Sequence, residues 1–196
     1  MGTADPKDDL RRYLQASREA ALWKLDGLSE YDVRRPLVPT GTNLLGVVKH
    51  LAGVEFAYFG AVFGRPSPDE QPFDESVPNS DMFASVSESR EFITGLYRNA
   101  WAHSDATMEA LPLDTTGHVP WWPAERAEVT LQHLLVRVTD ETARHVGQMD
   151  IIRELIDGAV GLKADASNLP FDEQAAWRAH YEQVERTARE ASGLAG

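Results

Sequence analysis

The sequence contains no cysteine, and this absence narrows the chemistry that the chain can carry out. A disulfide framework, a thiolate metal site and a cysteine nucleophile are all excluded, so a metal site would have to use His, Asp or Glu side chains. Positive charge is also scarce, since 19 Lys and Arg residues stand against 31 Asp and Glu residues, for a formal net charge of −12. Nucleic acid and anionic membrane surfaces both require clustered Lys and Arg, so neither is expected as a partner.

Long apolar runs are missing too. No run approaches the length needed to span a membrane, and no signal-peptide core follows Met1, so we expect a cytoplasmic protein. The motifs of serine hydrolases, P-loop proteins and dinucleotide-binding folds are also absent. The 196 residues, of which 42% are hydrophobic, suit one globular domain with a sizeable core over residues 1–196.

Apolar residues recur at helical spacing in five segments, while no alternating strand pattern extends beyond a few residues. The predicted helices cover about 6–28, 43–63, 85–110 (or from 87), 128–157 and 172–191. The predicted N-caps are Asp5, Thr42 and Asp172, and Gly158 is expected to end the fourth helix. We therefore predict an all-α domain, a four-helix bundle with long crossover loops and an additional, shorter C-terminal helix.

The fourth predicted helix carries one line of residues at alternating steps of three and four, which places them on a single stripe. The line is Leu131, Leu134, Val138, Glu141, His145, Gln148, Ile152 and Leu155. Both ends are apolar, so the stripe should face the core, but its middle holds a carboxylate, an imidazole and an amide. Because burying an unpaired carboxylate is costly, the middle of this helix either faces a cavity or binds a cation through Glu141 and His145.

Glu141 and His145 stand one helical turn apart, with about 6 Å between their Cβ atoms, so both side chains can reach one metal ion. His50 is the candidate third ligand, because it borders the apolar stripe of the second predicted helix near the middle of that helix. Two His and one Glu with an open fourth position form a catalytic zinc pattern. Ligation by nitrogen and oxygen also suits Ni, Co, Mn or Fe. The alternative is a buried polar network that Tyr or Trp side chains satisfy.

Two segments resemble the DinB superfamily, in particular the branch related to mycothiol-dependent maleylpyruvate isomerase. They are Lys-His-Leu-Ala-Gly-Val-Glu at 49–55 and the stretch 140–158, which begins Asp-Glu-Thr-Ala-Arg-His-Val-Gly-Gln. The resemblance implies a four-helix bundle in which three side chains hold a divalent metal. In many members all three ligands are His, but the isomerase-like branch has Glu in the middle position, so the implied ligands here are His50, Glu141 and His145. It also implies a low-molecular-weight thiol such as mycothiol as cofactor, and a homodimer as one expected arrangement.

This chain departs from the pattern at two positions, since close relatives often have His where it has Arg137 and Gln148. Arg137 either binds an anionic group of the substrate or thiol, or forms an ordinary salt bridge with Glu141 or a surface acid. We expect Gln148 to hydrogen-bond a ligand or a metal-bound water rather than to coordinate the metal. Trp121 and Trp122, adjacent between prolines, either bound a substrate pocket or cover the end of the bundle.

Three functional hypotheses follow for a protein that acts on a small molecule. The first is a metal-dependent enzyme that uses a low-molecular-weight thiol for transfer to, or isomerisation of, a small electrophile. The second is a metal-dependent hydrolase, with Asp140 or His118 as the general base. The third is a bundle that binds a metal or small ligand without turnover. Asp140 and Glu55 are expected either to orient the histidine rings or to be outer-face charges.

Overall fold

The computed structural model describes residues 5–67, 69, 74, 76–167, 169–171 and 173–194, and the predicted all-α class is confirmed there. Its helices are α1 (Pro6–Trp23), α2 (Glu30–Arg34), α3 (Leu44–Glu55), α4 (Arg90–Ala110), α5 (Leu131–Asp157) and α6 (Gln174–Ala191). Two short strands, β1 (Thr116–His118) and β2 (Glu128–Thr130), form an antiparallel pair between α4 and α5.

Helices α1, α3, α4 and α5 form the bundle. Helix α1 packs mainly on α5, α3 packs mainly on α4, and α3 also contacts α5. Long connections join the bundle helices, as predicted, and the short α2 lies in the first of them and packs on α3. None of the described residues of α6 is buried, so this helix adds nothing to the apolar core.

The first helix begins as predicted but ends earlier. The Asp5 side chain accepts a hydrogen bond from the backbone N–H of Lys7, so it caps α1. The predicted end at 28 is wrong, because α1 ends at Trp23 and Gly27 adopts a left-handed conformation with φ of 76°. The sequence pattern also missed α2, whose five residues are too few to show a period.

The second predicted helix is helical over nearly its whole predicted length, but its geometry changes. Asn43 rather than Thr42 is the N-cap, because its side chain accepts a hydrogen bond from the N–H of Gly46 at 2.8 Å. Beyond α3, a π turn at Phe56–Gly60 and a 3-10 turn at Ala61–Phe63 continue the helix.

The stretch Leu44–Phe63 is long and apolar enough to span a membrane, which corrects our expectation, but its most apolar window is 78% buried in the bundle. Such burial is expected for the core helix of a soluble bundle and does not indicate a membrane protein.

The starts of α4 and α5 also lie later than predicted. Ser89 caps α4 through the N–H of Phe92. Thr130 caps α5, because the three residues before Leu131 pair with β1 instead of joining the helix. Strands of three residues are too short to produce an alternating pattern. The predicted cap Asp172 lies outside the described residues, and Gly158 ends α5 as predicted, with φ of 81°.

The core consists of two apolar clusters. One contains the buried apolar residues of α3 with the second part of α5, and the other contains Tyr58, Phe59 and Val62 after α3 with the first part of α5, so the segment 44–63 and α5 run antiparallel. On three bundle helices a buried polar residue separates the members of the two clusters: Arg18 on α1, Ser104 on α4 and Thr142 on α5. A polar layer therefore crosses the middle of the bundle, at the level of the predicted metal ligands.

Candidate metal centre

His50, Glu141 and His145 come together where α3 crosses α5. One ligand atom from each lies within 4.8 Å of the others. Oε1 of Glu141 is 3.3 Å from Nε2 of His145 and 3.8 Å from Nε2 of His50. All three side chains are partly buried, with exposed fractions of 21%, 22% and 12% respectively. The antiparallel packing of the two helices brings His50 to the pair on α5, and we call these three residues the triad.

The imidazole of His50 is oriented by a carboxylate outside the triad. Its Nδ1 lies 2.6 Å from Oδ2 of Asp81. Because a carboxylate only accepts hydrogen bonds, Nδ1 donates, and in the neutral form of the ring Nε2 is the acceptor. That Nε2 is buried and has no hydrogen-bond partner among the residues that the structure describes. An unpaired buried acceptor directed at a carboxylate is an unfavourable arrangement that a cation would relieve.

His145 is arranged in the same way from the other helix. Its Nδ1 donates a hydrogen bond to Oε1 of Gln148 at 2.9 Å, which leaves Nε2 facing Glu141. Burial lowers the pKa of His145, and the nearby His50 lowers it further against the opposing effect of Glu141. The neutral imidazole, which is the form that binds metals, is therefore favoured at this position.

The donor set fits a divalent cation. Bonds of about 2.1 Å in tetrahedral geometry separate ligand atoms by about 3.4 Å, close to the distances from Oε1 of Glu141 to the two Nε2 atoms. Three side chains leave a fourth position for a small molecule. No Tyr or Trp among the described residues hydrogen-bonds the triad, so the alternative of a network satisfied by such partners is not supported.

A family model described as mycothiol-S-transferase matches residues 9–158. This span covers more than half of the chain, includes α2 to α5 and nearly all of α1, and contains all three residues of the triad. The chain belongs to the mycothiol-S-transferase family. This DinB-like family confirms the resemblance that the two sequence segments indicated. No curated protein matches the sequence, and α6 lies beyond the matched residues.

In this member of the mycothiol-S-transferase family, Arg137 contacts the triad from one turn earlier on α5. Its Nη1 lies 3.3 Å from Oε2 of Glu141, and its side chain is 40% exposed. The salt bridge considered from the sequence is therefore present. The exposed remainder of the guanidinium still has N–H groups available for an anion.

Trp121 and Trp122 lie against Tyr58 rather than against the triad. The Tyr58 ring makes edge contacts with both indoles, with centroids 5.4 and 5.9 Å apart, and Nε1 of Trp121 lies 3.5 Å from the Tyr58 hydroxyl. Tyr58 follows His50 by eight residues along a helical segment, which corresponds to about 12 Å. The aromatic surface is therefore more than two turns from the triad, and Trp121 is half exposed on it.

Neither Glu55 nor Asp140 orients a histidine of the triad, and only Asp140 is the outer-face charge that was the alternative for both. Glu55 is buried and pairs with Arg18 at 2.6 Å, while Asp140 is exposed on α5. Asp81, which does contact His50, lies 31 residues further along the chain in an irregular connection. No periodic pattern includes Asp81, so no signal in the sequence distinguishes it from the other acids of that connection.

Proposed function

We propose that this protein is a divalent-metal-dependent transferase that joins a low-molecular-weight thiol to a small electrophile. The family description supports mycothiol as the thiol. The observation that carries the metal dependence is the buried, unpartnered Nε2 of His50, which converges with Glu141 and His145. Among the candidate ions zinc suits two imidazoles and one carboxylate best, with Ni, Mn, Co or Fe as alternatives.

In this proposal His50, Glu141 and His145 hold the ion. A bound divalent cation supplies positive charge that lowers the pKa of a coordinated thiol. The protein's own groups orient the two imidazoles, because Asp81 contacts Nδ1 of His50 and Gln148 contacts Nδ1 of His145, which leaves both Nε2 atoms facing Glu141. The reaction forms one bond between sulfur and the electrophilic carbon and breaks the bond from that carbon to its leaving group. The thiol proton leaves with that group, so atoms and charge balance.

Arg137 would bind an anionic group of the electrophile or the thiol. Its position beside Glu141, with a side chain that is 40% exposed, supports this role. Trp121, Trp122 and Tyr58 would supply an apolar wall beyond the end of α3 for the rest of the bound molecules. Thiol-assisted isomerisation of an electrophile would use the same groups without a leaving group.

The hydrolase alternative has less support in the geometry. Of its two candidate bases, His118 has its Nδ1 2.6 Å from Glu128 in the strand pair, and Asp140 is exposed. A bundle that binds without turnover stays a third hypothesis. The homodimer that the resemblance implies is a prediction that the molar mass in solution tests.

The test combines metal analysis with a thiol-dependence assay on the purified protein. We expect about one zinc per chain and saturable consumption of chlorodinitrobenzene or a bromobimane only when mycothiol is present. Glu141→Gln should lose both the metal and the reaction, whereas Glu154→Gln, an exposed position on the same helix, should keep both.

Each contrary result points to a different hypothesis. A wild-type protein without stoichiometric metal after incubation with zinc would overturn the metal assignment. Turnover that needs the metal but not the thiol would favour the hydrolase. Metal binding and ligand-dependent stabilisation without any turnover would favour the binding bundle.

A further inference from the structure

We infer that Asp81 is a positioning residue for the metal centre, and that α3 itself provides the seat that holds Asp81 against His50. The inference rests on the metal dependence proposed above. It adds a fourth residue, one that does not touch the ion, and it assigns a role to the segment between α3 and α4. We call residues 79–88 the strap, and we call the surface of α3 at Asn43 and Gly46, on which the strap packs, the seat.

The first step is the geometry at His50. Oδ2 of Asp81 accepts a hydrogen bond from Nδ1 at 2.6 Å, a short distance that is typical of a charge-assisted bond. This bond fixes Nδ1 as the donor and holds the ring in one orientation, with Nε2 directed at Glu141. Carboxylate groups behind a histidine ligand raise its basicity, and their loss typically weakens metal binding by about 10- to 100-fold.

The second step is how Asp81 reaches this place. It lies in a 3-10 turn at Ser80–Met82, directly after Asn79, whose φ of 59° is left-handed. The carbonyl of Met82 accepts a hydrogen bond from Nδ2 of Asn43 at 3.0 Å. Asn43 is also the N-cap of α3, so a single side chain begins the helix and anchors the strap to it.

Gly46 permits this close contact. A Cβ atom at position 46 would lie 1.9 Å from the carbonyl oxygen of Met82, a backbone atom that cannot yield as a side chain does. Any larger residue there must push the strap away from α3. Gly46 precedes His50 by one turn of the same helix, so the seat of the strap and the ligand belong to one rigid element.

The far part of the strap is held from α3 as well. Nζ of Lys49, a buried side chain, donates to the carbonyl of Phe83 at 3.2 Å and to Glu88 at 3.0 Å. Nη1 of Arg34 donates to the carbonyl of Ser85 at 3.1 Å. These contacts, together with that of Asn43 to Met82, fix the strap directly after Asp81, and its carboxylate is presented to His50 in a defined position.

The direct test measures zinc affinity by competition with a chromophoric chelator. We expect Asp81→Ala to bind zinc about 10- to 100-fold more weakly than the wild type. Asp81→Asn should lose less, because its amide oxygen can still accept from Nδ1. Since Asp81 is 30% exposed, neither change should alter the thermal stability of the metal-free protein much.

The test of the seat uses glycines. Gly46→Ala should weaken zinc binding by about tenfold or more, although it adds a single methyl group at a position that does not contact the ion. Gly95→Ala on α4 is the matched control, because no described residue lies within 4 Å of a Cβ atom added there, and it should leave the affinity unchanged. The visible spectrum of the cobalt-loaded protein should change in Gly46→Ala and Asp81→Ala but not in Gly95→Ala.

The outcomes separate this inference from the proposed function. If the wild type binds zinc and Asp81→Ala binds it equally well, the positioning role is wrong. The same holds if both Asp81 variants lose stability but keep the wild-type affinity. If Gly46→Ala retains full affinity, the seat is wrong. If the wild type binds zinc, the variants bind it weakly and no thiol is ever transferred, the inference stands and the proposed reaction fails.

Discussion

Arg137 and Glu141 form an ion pair on the outer edge of the triad, with 3.3 Å between Nη1 and Oε2. The other oxygen of the same carboxylate faces the two imidazoles. Glu141 thus divides its two oxygens between an arginine on one side and the ligand nitrogens on the other. A molecule bound at the open position of the triad would meet the guanidinium one helical turn away.

Replacing Arg137 with Met should raise the KM for an anionic electrophile or for the thiol by about tenfold, which corresponds to about 1.4 kcal/mol of lost interaction. The metal content should not fall, because Glu141 loses a competing cation. Steady-state kinetics with zinc analysis checks this expectation, and Arg144→Met, an exposed position on α5, is the control. An unchanged KM for both the electrophile and the thiol would show that Arg137 forms the salt bridge with Glu141 but binds neither reactant.

Zinc should stabilise the native protein, because the triad binds the ion only when α3 and α5 are packed. At a free zinc concentration about 100 times the Kd, the free energy of unfolding should rise by about 2.7 kcal/mol. Urea unfolding with and without a chelator measures the difference. Glu141→Gln should show little of this gain, and an equal gain in that variant would place the stabilising zinc elsewhere.

Truncation of Trp121 to Ala should mainly affect binding of the reactants. The indole is half exposed and makes one edge contact with Tyr58, so the loss of stability should be about 1 kcal/mol. If the aromatic surface is a wall of the binding site, KM should rise several-fold while the zinc affinity stays constant. Tyr31→Ala, which removes an exposed aromatic side chain from α2, should leave KM unchanged.

Removing the charge of Glu55 should lower the stability of the protein, because Glu55 pairs with Arg18 of the polar layer. Nε of buried Arg18 donates to Oε1 of Glu55 at 2.8 Å, and Nη2 donates to Oε2 at 2.6 Å. Glu55→Gln leaves Arg18 with Asp105 as its remaining carboxylate partner, so we expect a loss of about 3 kcal/mol. Asp105→Asn should cost less than about 1 kcal/mol, because Asp105 is 42% exposed. Denaturant unfolding compares the two, and equal losses would contradict the ranking.

The contribution of Asp157 to the free energy of unfolding should depend on pH in the acid range. Hydrogen bonds from Arg153, with a smaller contribution from the N–H of Ala159, lower the pKa of Asp157 below its ordinary value of 3.8. A lowered carboxyl pKa means that the contribution is complete above about 3.8 and disappears as the pH falls through the lower native pKa.

Asp157→Asn should therefore destabilise the protein by about 1 kcal/mol at neutral pH, a modest amount because solvent screens the partly exposed pair. The difference from the wild type should shrink as the pH falls below that window, as measured by urea unfolding across a pH series. The exposed pair of Glu185 and Arg189 gives the control, since Glu185→Gln should change stability very little at any pH. A difference that persists in strong acid would rule out the ion pair as its source.

The periodicity of apolar residues predicted that α5 is a helix, but it did not predict correctly which residues of that helix are buried. Val138 is buried as expected, but Gln148 and Leu155 are exposed, while Thr142 and Met149 are buried in their place. Steps of three and four average 3.5 residues, and such a line drifts by about 20° per heptad around a helix of 3.6 residues per turn. Over the length of α5 the drift moves the predicted line off the buried face, so the triad lies at the edge of the core.

The sequence by itself determined the bundle helices, the absence of cysteine ligands and nucleophiles, and the pairing of Glu141 with His145. All of these depend on composition or on spacing within one helix, and such spacing is a local property of the chain. His50 could be proposed because it borders an apolar stripe, and the family resemblance pointed to the same residue. The tertiary structure alone decided which carboxylate faces His50, since Asp81 reaches it through the packing of the strap on Gly46. Contacts between segments that are distant in the chain depend on how the helices pack, and no local pattern records that packing.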